Sequence, residues 1–535
     1  MTNSVGKDGD IAQAEIHEYL ENRVARKRLL PRAILVGLVS GTIAVAFRLA
    51  LESVEHLRAA YLQTADRAPV WNALAIGVLA TVGTYVALLI GRFDKNAGGS
   101  GIPHMKAVLE GHSAIRWQTL IPVKFGAAWA AIGSGLALGR EGPTVQMGGA
   151  VGAAISDLTR ASKRERRALT ASGAGAGLAA AFNAPLAGVT FVLEELQRDF
   201  QPVVFAAALL SASIATVVSR LVSGQASVFA VPHIPPPSLG SIPLFVLIGV
   251  AAGFVGVLFN RGLLQSASIF KRKPLRKPWK IALIAGVGAT LATLVSPDLL
   301  GGGHGLSEAA LRNTYVLGAA ALYLVIRMLF VHVSYATGVP GGIFAPLLSI
   351  GALLGALAFQ VSSLALPNVP SVAACAVAGM CALFSGVVRA PLTGVILIAE
   401  MTGSYDMLLP LLAAAFAAYA VAEGLRDVPI YESLLQRDAL IKGWNLEDGE
   451  LLTREFEVQG GSPFDGKAVR DLGLPQGVLI VLCRVGGKEF VPRSDTVLRE
   501  HMRLVVAAGT REGLLAVQQG IDHSTSDQAP PSHAT

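Results

Sequence analysis

The chain has 535 residues, of which 52% are hydrophobic and 15% are charged, and its mean hydropathy is +0.54. Soluble proteins carry about a quarter charged residues, so this composition excludes an ordinary soluble protein and predicts a polytopic membrane protein with a soluble remainder. The formal charge of +7 is typical of basic cytoplasmic loops. Nucleic-acid binding is disfavoured, because none of the basic runs is interleaved with an aromatic platform on which bases could stack.

Three basic runs and a polar N-terminus predict the orientation of the chain. The runs lie at residues 23–32, 160–167 and 271–280, and such loops are typical of the cytoplasmic side of a membrane. Residues 1–22 lack the basic-then-apolar order of a signal peptide. We therefore expect residues 1–32 to form a cytoplasmic N-terminal segment.

Apolar stretches of uneven length follow one another up to residue 423. Several are shorter than the ~20 residues that span a bilayer, and others are long enough for two short, tilted or re-entrant helices. They lie near residues 33–51, 70–91, 117–138, 144–158, 168–193, 203–223, 241–260, 281–299, 314–336, 343–366, 369–400 and 406–423. The proline-rich segment 231–237 cannot be the interior of a helix, and it predicts a boundary between two halves near 223–240.

Glycine- and proline-rich breaks interrupt the apolar stretches at residues 99–103 (GSGIP), 139–143 (GREGP) and 338–346 (GVPGGIFAP). Irregular backbone at membrane depth is tolerated only where it is buried in protein or lines a cavity. Helices that begin at such breaks direct free N–H groups and the positive ends of their dipoles inward. The breaks therefore predict an anion site within the membrane, and Glu141 inside one of them is a candidate functional residue.

The two halves repeat one another at a nearly constant offset. Paired interrupted segments in corresponding halves are typical of the substrate site of a transporter. Residues 98–101 match residues 302–305 at an offset of 204. Pro143, Gly148 and Gly152 match Pro346, Gly351 and Gly355 at an offset of 203. At an offset of 206, residues 184–189 match 390–395, Gly173 matches Gly379 and Glu194 matches Glu400. Inversion of the halves requires an odd number of helices in each, a count that the sequence leaves open.

The character of the chain changes after about residue 443. Residues 446–520 alternate charges, Gly turns and short β-branched runs, and they predict a small soluble α+β domain. Strands are predicted at 477–484, 489–491 and 504–508, with a Gly486-Gly487 turn and a helix over 511–519. The tail 521–535 is rich in Ser, Thr, Pro and His, and it is expected to be disordered.

At these breaks the chain resembles the CLC family of chloride channels and chloride/proton antiporters. The three breaks match the family's anion-site segments, residues 183–188 with Glu194 and Glu195 match a fourth motif, and Tyr431 matches a fifth. The resemblance implies an all-α polytopic membrane protein, a two-half inverted repeat with broken and tilted helices, and a homodimer with one anion path in each subunit. It assigns residues 33–442 to the membrane domain, with halves at about 33–225 and 241–440.

The resemblance also implies the anion ligands. The Ser100 hydroxyl, the Tyr431 phenol and the backbone N–H groups of Ile343 and Phe344 would bind a central anion. Gly101 and Gly142 complete the predicted anion-binding segments. Neutral donors suit this task, because conduction requires weak binding. Two alternatives stay open at this stage: Ser100 is also typical of a helix cap, and Tyr431 is also typical of an anchor at the membrane interface.

Two glutamates carry the predicted coupling. Glu141 resembles the family's gating glutamate, whose carboxylate blocks the anion site when ionised and carries a proton when it leaves; its alternative is a structural ion pair with Arg140. Glu195 resembles the inner proton-transfer glutamate of the antiporters, and the alternative is a solvated helix end formed with Glu194. Because Glu194 recurs in the second half, we interpret Glu194 as structural. Lys124 either tunes the field along the anion path or extends its amine to the membrane surface.

The C-terminal domain resembles the TrkA-C subdomain of RCK-type potassium-transport regulators over about residues 455–510. That resemblance implies a cytoplasmic module that senses a small, nucleotide-like ligand or stabilises a dimer. Cyclic dinucleotides are ligands of some relatives. No residue of this domain identifies a ligand.

These observations predict a secondary active chloride/proton antiporter of the inner (plasma) membrane, multi-pass, with both termini cytoplasmic. The alternative is a passive voltage- or pH-gated chloride channel of the same fold. A cation transporter, suggested by the C-terminal domain, is disfavoured because the TVGYG filter motif is absent. Primary transport is disfavoured because the sequence lacks a GxxxxGK[ST] loop. An enzyme is not expected, since no H-E-x-x-H motif is present, and Cys375, Cys381 and Cys483 lack metal-ligand spacing. No metal and no cofactor are predicted.

Overall fold

The computed structural model describes residues 5–64, 69–198, 202–225, 228–229, 231, 234–272, 275, 277–442, 452–485, 488–509 and 511–521. The chain divides into two compact units, residues 1–109 with 113–438 and residues 110–112 with 439–535. The predicted Gly486-Gly487 turn lies outside the described residues, as do all but the first residue of the tail 521–535 and part of the proline-rich segment 231–237.

Helices form the secondary structure of the first unit in its described residues, apart from one isolated bridge between Gly139 and Gly342. The first half contains α1 (Val5–Thr64), α2 (Pro69–Ile90), α3 (Ile102–Leu109), α4 (Trp117–Gly133), α5 (Glu141–Leu158), α6 (Lys163–Phe182), α7 (Pro185–Phe191), a π-helical turn (Val192–Leu196) and α8 (Pro202–Ser223). The second half contains α9 (Ile242–Ile269), α10 (Pro278–Val295), α11 (His304–Leu311), α12 (Leu317–Ala336), α13 (Phe344–Ala365), α14 (Val372–Val388), α15 (Pro391–Thr402), α16 (Leu408–Gly424) and α17 (Ile430–Lys442). Short 3₁₀ turns lie at Gly91–Phe93, Lys95–Ala97, Leu239–Ser241, Pro297–Leu299 and Tyr405–Met407.

Helix lengths agree with the prediction of uneven, interrupted spans. Among the described residues, eight helices are long and apolar enough to cross a membrane. The apolar stretch 369–400 forms two helices, α14 and α15, and the stretch 168–193 belongs to α6, α7 and the π turn. Helix α6 begins earlier than hydropathy suggests, because Ser162 and Glu165 form a reciprocal capping box at its N-terminus.

The glycines that recur between halves form equivalent helix crossings. A Cβ at Gly148 of α5 would lie 2.2 Å from the Gly173 carbonyl oxygen of α6, and one at Gly351 of α13 would lie 2.6 Å from the Gly379 carbonyl oxygen of α14. Such distances leave no room for a side chain, so these helices pack backbone against backbone. The sequence repeat therefore corresponds to a structural repeat.

The repeat is inverted where its halves meet. Gly139 and Gly342 form an antiparallel bridge, in which the Gly139 N–H donates to the Gly342 carbonyl at 2.8 Å and the Gly342 N–H donates to the Gly139 carbonyl at 2.7 Å. Equivalent segments paired in this way run in opposite directions. Helices α5 and α13 begin two residues after the bridged glycines, at equivalent positions of the two halves.

The second unit is a small α+β fold. Its antiparallel sheet has the order β1-β4-β2-β3, formed by β1 (Leu452–Glu457), β2 (Val478–Val485), β3 (Lys488–Phe490) and β4 (Arg503–Ala508), and it is accompanied by a 3₁₀ turn (Val469–Asp471) and α18 (Arg511–Ile521). Three strands and the helix match the predicted positions within one or two residues, whereas β1 was not predicted. The core includes Phe464, Cys483 and Val517, and burial raises the pKa of the Cys483 thiol.

Candidate anion site and its glutamates

The three predicted breaks meet at one place inside the helical unit. The Gly139–Gly342 bridge joins the second break to the third. The first break is joined to the third as well, because the Gly99 N–H donates to the Val339 carbonyl at 3.3 Å and the Gly341 N–H donates to the Gly99 carbonyl at 3.1 Å. Some N–H and C=O groups of the irregular backbone are therefore hydrogen-bonded to one another, which is needed within a membrane because no water is there to bind them.

Two buried hydroxyl groups face this junction. Ser100 and Tyr431 expose 1% and 0% of their surface, and Tyr431 lies close to Ser100. Neither hydroxyl oxygen makes a complete hydrogen bond to any of the described residues. Ser100 therefore does not cap α3, and buried Tyr431 is not an interfacial anchor. Buried hydroxyls are normally hydrogen-bonded, so this pair indicates a place for a polar ligand.

Helix α13 directs its N-terminus at the same junction. Ile343 is its N-cap residue and Phe344 its first residue, and both are buried. The first N–H groups of a helix have no partner within it, so they are available to an anion. The Phe344 ring lies 5.8 Å from the Tyr431 ring, centroid to centroid, which brings the helix end and the phenol together.

Two of the predicted glycines, Gly101 and Gly142, allow the first break to lie close against α5. A Cβ at Gly142 would lie 2.5 Å from the Ser100 carbonyl oxygen and 2.8 Å from its hydroxyl. Gly101 has a φ of +89°, and a Cβ there would lie 2.5 Å from the Gln146 side-chain oxygen. Any larger residue at either position would displace the first break from α5.

The Glu141 carboxylate lies between the helix end and an open cavity. Glu141 is 1% exposed, and its carboxylate accepts a long hydrogen bond of 3.5 Å from the Ala345 N–H in the first turn of α13. Arg140 forms its ion pair with Glu52, at 3.7 Å. The carboxylate therefore occupies a position that the helix N-terminus offers to any anion.

The cavity beside Glu141 has a volume of about 510 Å³. Glu141 and Ala345 form part of its wall, together with polar and charged residues of both signs that include Arg48, Arg140 and Glu55. Rotation of the Glu141 side chain away from α13 would place the carboxylate in this polar cavity. The carboxylate thus lies between the end of α13 and a cavity lined by polar and charged side chains.

Glu195 lies in a buried ion-pair network. It belongs to the π-helical turn Val192–Leu196, is 2% exposed, and accepts a hydrogen bond from the Lys106 ammonium at 2.9 Å. The same ammonium donates to Glu432 at 3.3 Å, and Arg198 also contacts Glu432 at 3.3 Å. Glu195 is therefore not part of a solvated helix end. The sequence reasoning missed Lys106 and Glu432; their places beside the first break and Tyr431 were the available signal.

Glu194 differs from its neighbour in every contact. Its carboxylate accepts hydrogen bonds from the Leu392 and Thr393 N–H groups at 3.1 and 2.7 Å. These residues form the first turn of α15, so Glu194 caps that helix. Adjacent glutamates thus have separate roles, one at a helix end of the opposite half and one in the interior.

Lys124 is completely buried, so its amine does not extend to the membrane surface. The ammonium donates to the Ala97 and Gly99 carbonyls, both at 2.8 Å. These carbonyls flank the first break, so Lys124 satisfies irregular backbone beside Ser100 and adds a positive charge near the junction.

Helix N-termini, buried hydroxyls and a buried carboxylate, assembled from broken helices of two inverted halves, are the features of a membrane transport protein, and their junction is a candidate anion site. Among the described residues, no group of three His, Cys, Asp or Glu side chains is arranged to hold a metal ion. Residues 82–423 match the family model of voltage gated chloride channels. The chain belongs to this family, the CLC family.

Proteins named as chloride/proton exchange transporters are similar to this chain over most of their own length. The H(+)/Cl(-) exchange transporter ClcA of Vibrio vulnificus is 38% identical over 434 residues, which cover 79% of this chain and 92% of that protein. The protein of the same name from Vibrio cholerae is 38% identical over 450 residues, covering 82% and 94%. A solved structure of a slow cyanobacterial Cl-/H+ antiporter superposes with a TM-score of 0.74 at 33% identity, covering 78% of this chain and 99% of that one.

The C-terminal unit has its own match. Residues 453–519 match the family model of the TrkA-C domain. The chain therefore combines a CLC-type membrane part with a C-terminal TrkA-C domain, as the sequence resemblance implied.

Proposed function

We propose that this protein is a secondary active chloride/proton antiporter. The observation that carries the proposal is the position of the Glu141 carboxylate, which contacts the N-terminus of α13 beside two buried hydroxyls that make no complete hydrogen bond to the described residues. A carboxylate that competes with an anion for the same helix end can exchange with it. The relatives named as exchange transporters support antiport over passive conduction.

In the proposed cycle a chloride ion is bound by the Ser100 hydroxyl, the Tyr431 phenol and the N–H groups of Ile343 and Phe344. Gly101 and Gly142 let the backbone approach that ion closely. These donors are neutral, so the ion is held weakly enough to leave. The anion path then opens or closes according to the position of one further group.

Glu141 is that group. As a carboxylate it occupies the end of α13 and excludes chloride; as a carboxylic acid it leaves for the adjacent cavity and carries a proton. Glu195 exchanges that proton with the opposite side of the membrane. Because proton binding and chloride passage use the same residue, movement of one ion is coupled to movement of the other.

The rival function is a passive voltage- or pH-gated chloride channel of the same fold. It differs in having no proton movement driven by chloride. The buried carboxylate at position 195 is a group that can bind and release a proton, which antiport requires and passive conduction does not.

The first experiment measures proton movement in liposomes that contain the purified protein, under an imposed chloride gradient, with no other ion gradient and with the voltage clamped. Protons driven uphill by chloride would support antiport. Chloride flux without proton movement would make the protein a channel and reduce Glu195 to a structural carboxylate.

We further propose the setting of this activity. The protein would be a homodimer in the inner (plasma) membrane with both termini in the cytoplasm, residues 1–32 forming the N-terminal segment, 33–442 the membrane domain and 446–520 the soluble domain. The TrkA-C match supports a cytoplasmic module that binds a small ligand. Cysteine cross-linking across the membrane part and protease access to the C-terminal domain in oriented vesicles test these assignments.

A further inference from the structure

A second carboxylate lies within reach of the inner glutamate. Lys106 donates from one ammonium to Glu195 at 2.9 Å and to Glu432 at 3.3 Å, so the two carboxylates share a single cation. The Lys106 and Glu195 side chains are 1% and 3% exposed, whereas the Glu432 side chain is 27% exposed. The network therefore extends from the interior of the protein toward solvent.

The outer end of the network carries a further charge. Arg198, whose side chain is 55% exposed, contacts Glu432 at 3.3 Å. The charged groups that act on Glu195 are Lys106, Arg198 and Glu432. Two carboxylates and two cations leave the network with no net charge, so one added proton is not opposed by an excess of positive charge.

We propose that Glu432 is the proton-entry residue for Glu195 and that Lys106 passes the proton between them. This inference rests on the proposed antiport, because it assigns a supply of protons to Glu195. Glu432 also follows Tyr431 directly in the first turn of α17, so one helix end presents a phenol to the anion site and a carboxylate to the proton network.

The transfer balances at each step. Glu432 takes a proton from water and becomes neutral. The Lys106 ammonium then gives one proton to the Glu195 carboxylate and takes the proton of Glu432, so the ammonium ends as it began. Glu195 has gained one proton, Glu432 is again a carboxylate, and reversal of these steps releases the proton. The hydrogen bonds of 2.9 and 3.3 Å lie close to the range that proton transfer requires.

The test compares Glu432→Gln with wild type in the same liposome assay, measuring chloride and proton fluxes separately. Glutamine keeps the size and a hydrogen-bonding oxygen but cannot carry a proton. We expect proton flux to fall about tenfold or more while chloride flux persists, and Glu432→Asp to restore part of the proton flux. Glu423→Gln is the matched control, because Glu423 is likewise paired with an arginine, Arg389, and lies outside the network.

Lys106→Arg tests the relay itself. Arginine keeps the positive charge but does not release a proton in proteins, so we expect proton flux to fall and chloride flux to persist. A Lys106→Arg variant with wild-type coupling would overturn transfer through the ammonium.

The outcomes separate this inference from the function on which it rests. Coupled wild-type transport with an unchanged proton-to-chloride ratio in Glu432→Gln would overturn the inference alone. Loss of both fluxes in proportion would overturn it too, since it would assign Glu432 to folding. Wild-type chloride flux without proton movement would overturn both the antiport and the relay.

Discussion

Lys124 and Arg327 lie 203 positions apart in the sequence and make equivalent contacts in the two halves of the membrane unit. Lys124 donates to the Ala97 and Gly99 carbonyls at the first break. Arg327, also fully buried, donates to the Leu299 and Gly301 carbonyls at 2.6 and 2.8 Å. Each half thus places a buried cation on main-chain carbonyls at or just before its repeated glycine segment, residues 98–101 or 302–305, and the repeat extends to charges as well as glycines.

Replacement of Lys124 by Met should weaken the first break. The Ala97 and Gly99 carbonyls lose their ammonium donor, which costs about 1–3 kcal/mol for a buried group left without a partner. We expect a lower unfolding midpoint in detergent and weaker chloride binding by calorimetry. Lys95→Met is the control, since Lys95 is an exposed lysine of the same segment. Unchanged stability and affinity in Lys124→Met would contradict this assignment.

Removal of either site hydroxyl should weaken anion binding without unfolding the protein. Ser100→Ala and Tyr431→Phe each delete one donor to a charged ligand, worth about 1.5 kcal/mol or roughly tenfold in affinity. Neither hydroxyl makes a complete hydrogen bond to the described residues, so stability should change little. Chloride titration calorimetry measures the effect. Ser172→Ala, which deletes a buried serine hydroxyl bonded within α6, should leave affinity unchanged.

The two glutamates should fail in different ways. Glu141→Gln removes both the blocking charge and the carried proton, so chloride flux should persist, lose its dependence on pH and no longer drive protons. Glu195→Gln should keep the gate at Glu141 and lose proton flux, so its chloride flux should still respond to pH. Flux measurements across a series of pH values distinguish the two. Full proton coupling in either variant would remove that residue from the mechanism.

The anion site was largely predictable from sequence because its parts are short, contiguous motifs. A glycine-rich break or a carboxylate inside an apolar membrane segment is rare unless it has a function. The family resemblance supplied the order of these motifs along the chain. The structure brings Ser100, Glu141, Phe344 and Tyr431 together as that order implies.

The proton network was not predictable in the same way. Lys106 and Glu432 are 326 positions apart, and no local pattern indicates that one ammonium contacts both Glu432 and Glu195. Likewise, the partners of Arg327 follow only from the folded repeat. Strand β1 was missed because two consecutive exposed charged residues, Arg454 and Glu455, interrupt the alternation, while its pairing with β4 fixes it as a strand.

Small residues at the α5–α6 crossing should be required for stability. Gly148→Ala places a Cβ 2.2 Å from the Gly173 carbonyl oxygen, which forces two main chains apart and should cost about 1–3 kcal/mol or more. The thermal unfolding midpoint in detergent measures the loss. Gly318→Ala in α12 is the control, because no atom that the structure describes outside the helix's own backbone lies within 4 Å of a Cβ placed there, and alanine favours a helix. Equal midpoints for the two variants would mean that the helices separate without cost.

Glu194 and Glu400 should hold the two halves together, because each caps a helix of the opposite half, and neither should carry protons. Glu194 caps α15, and Glu400 caps α7 by accepting hydrogen bonds from the Leu186 and Ala187 N–H groups at 3.1 and 2.9 Å. Glutamine in either position loses the charge that stabilises a helix N-terminus and presents an NH₂ group to an N–H donor. Each substitution should therefore cost about 1 kcal/mol in unfolding free energy.

The same variants separate capping from proton transfer. Because Glu194 contacts α15 and not the Lys106 network, Glu194→Gln should keep the wild-type ratio of proton to chloride flux, in contrast to Glu195→Gln one residue away. Glu308→Gln, on a half-buried glutamate that pairs only with His304 among the described residues, is the control for stability. Loss of coupling in Glu194→Gln at unchanged stability would reverse the two assignments and make Glu194 the proton-transfer residue.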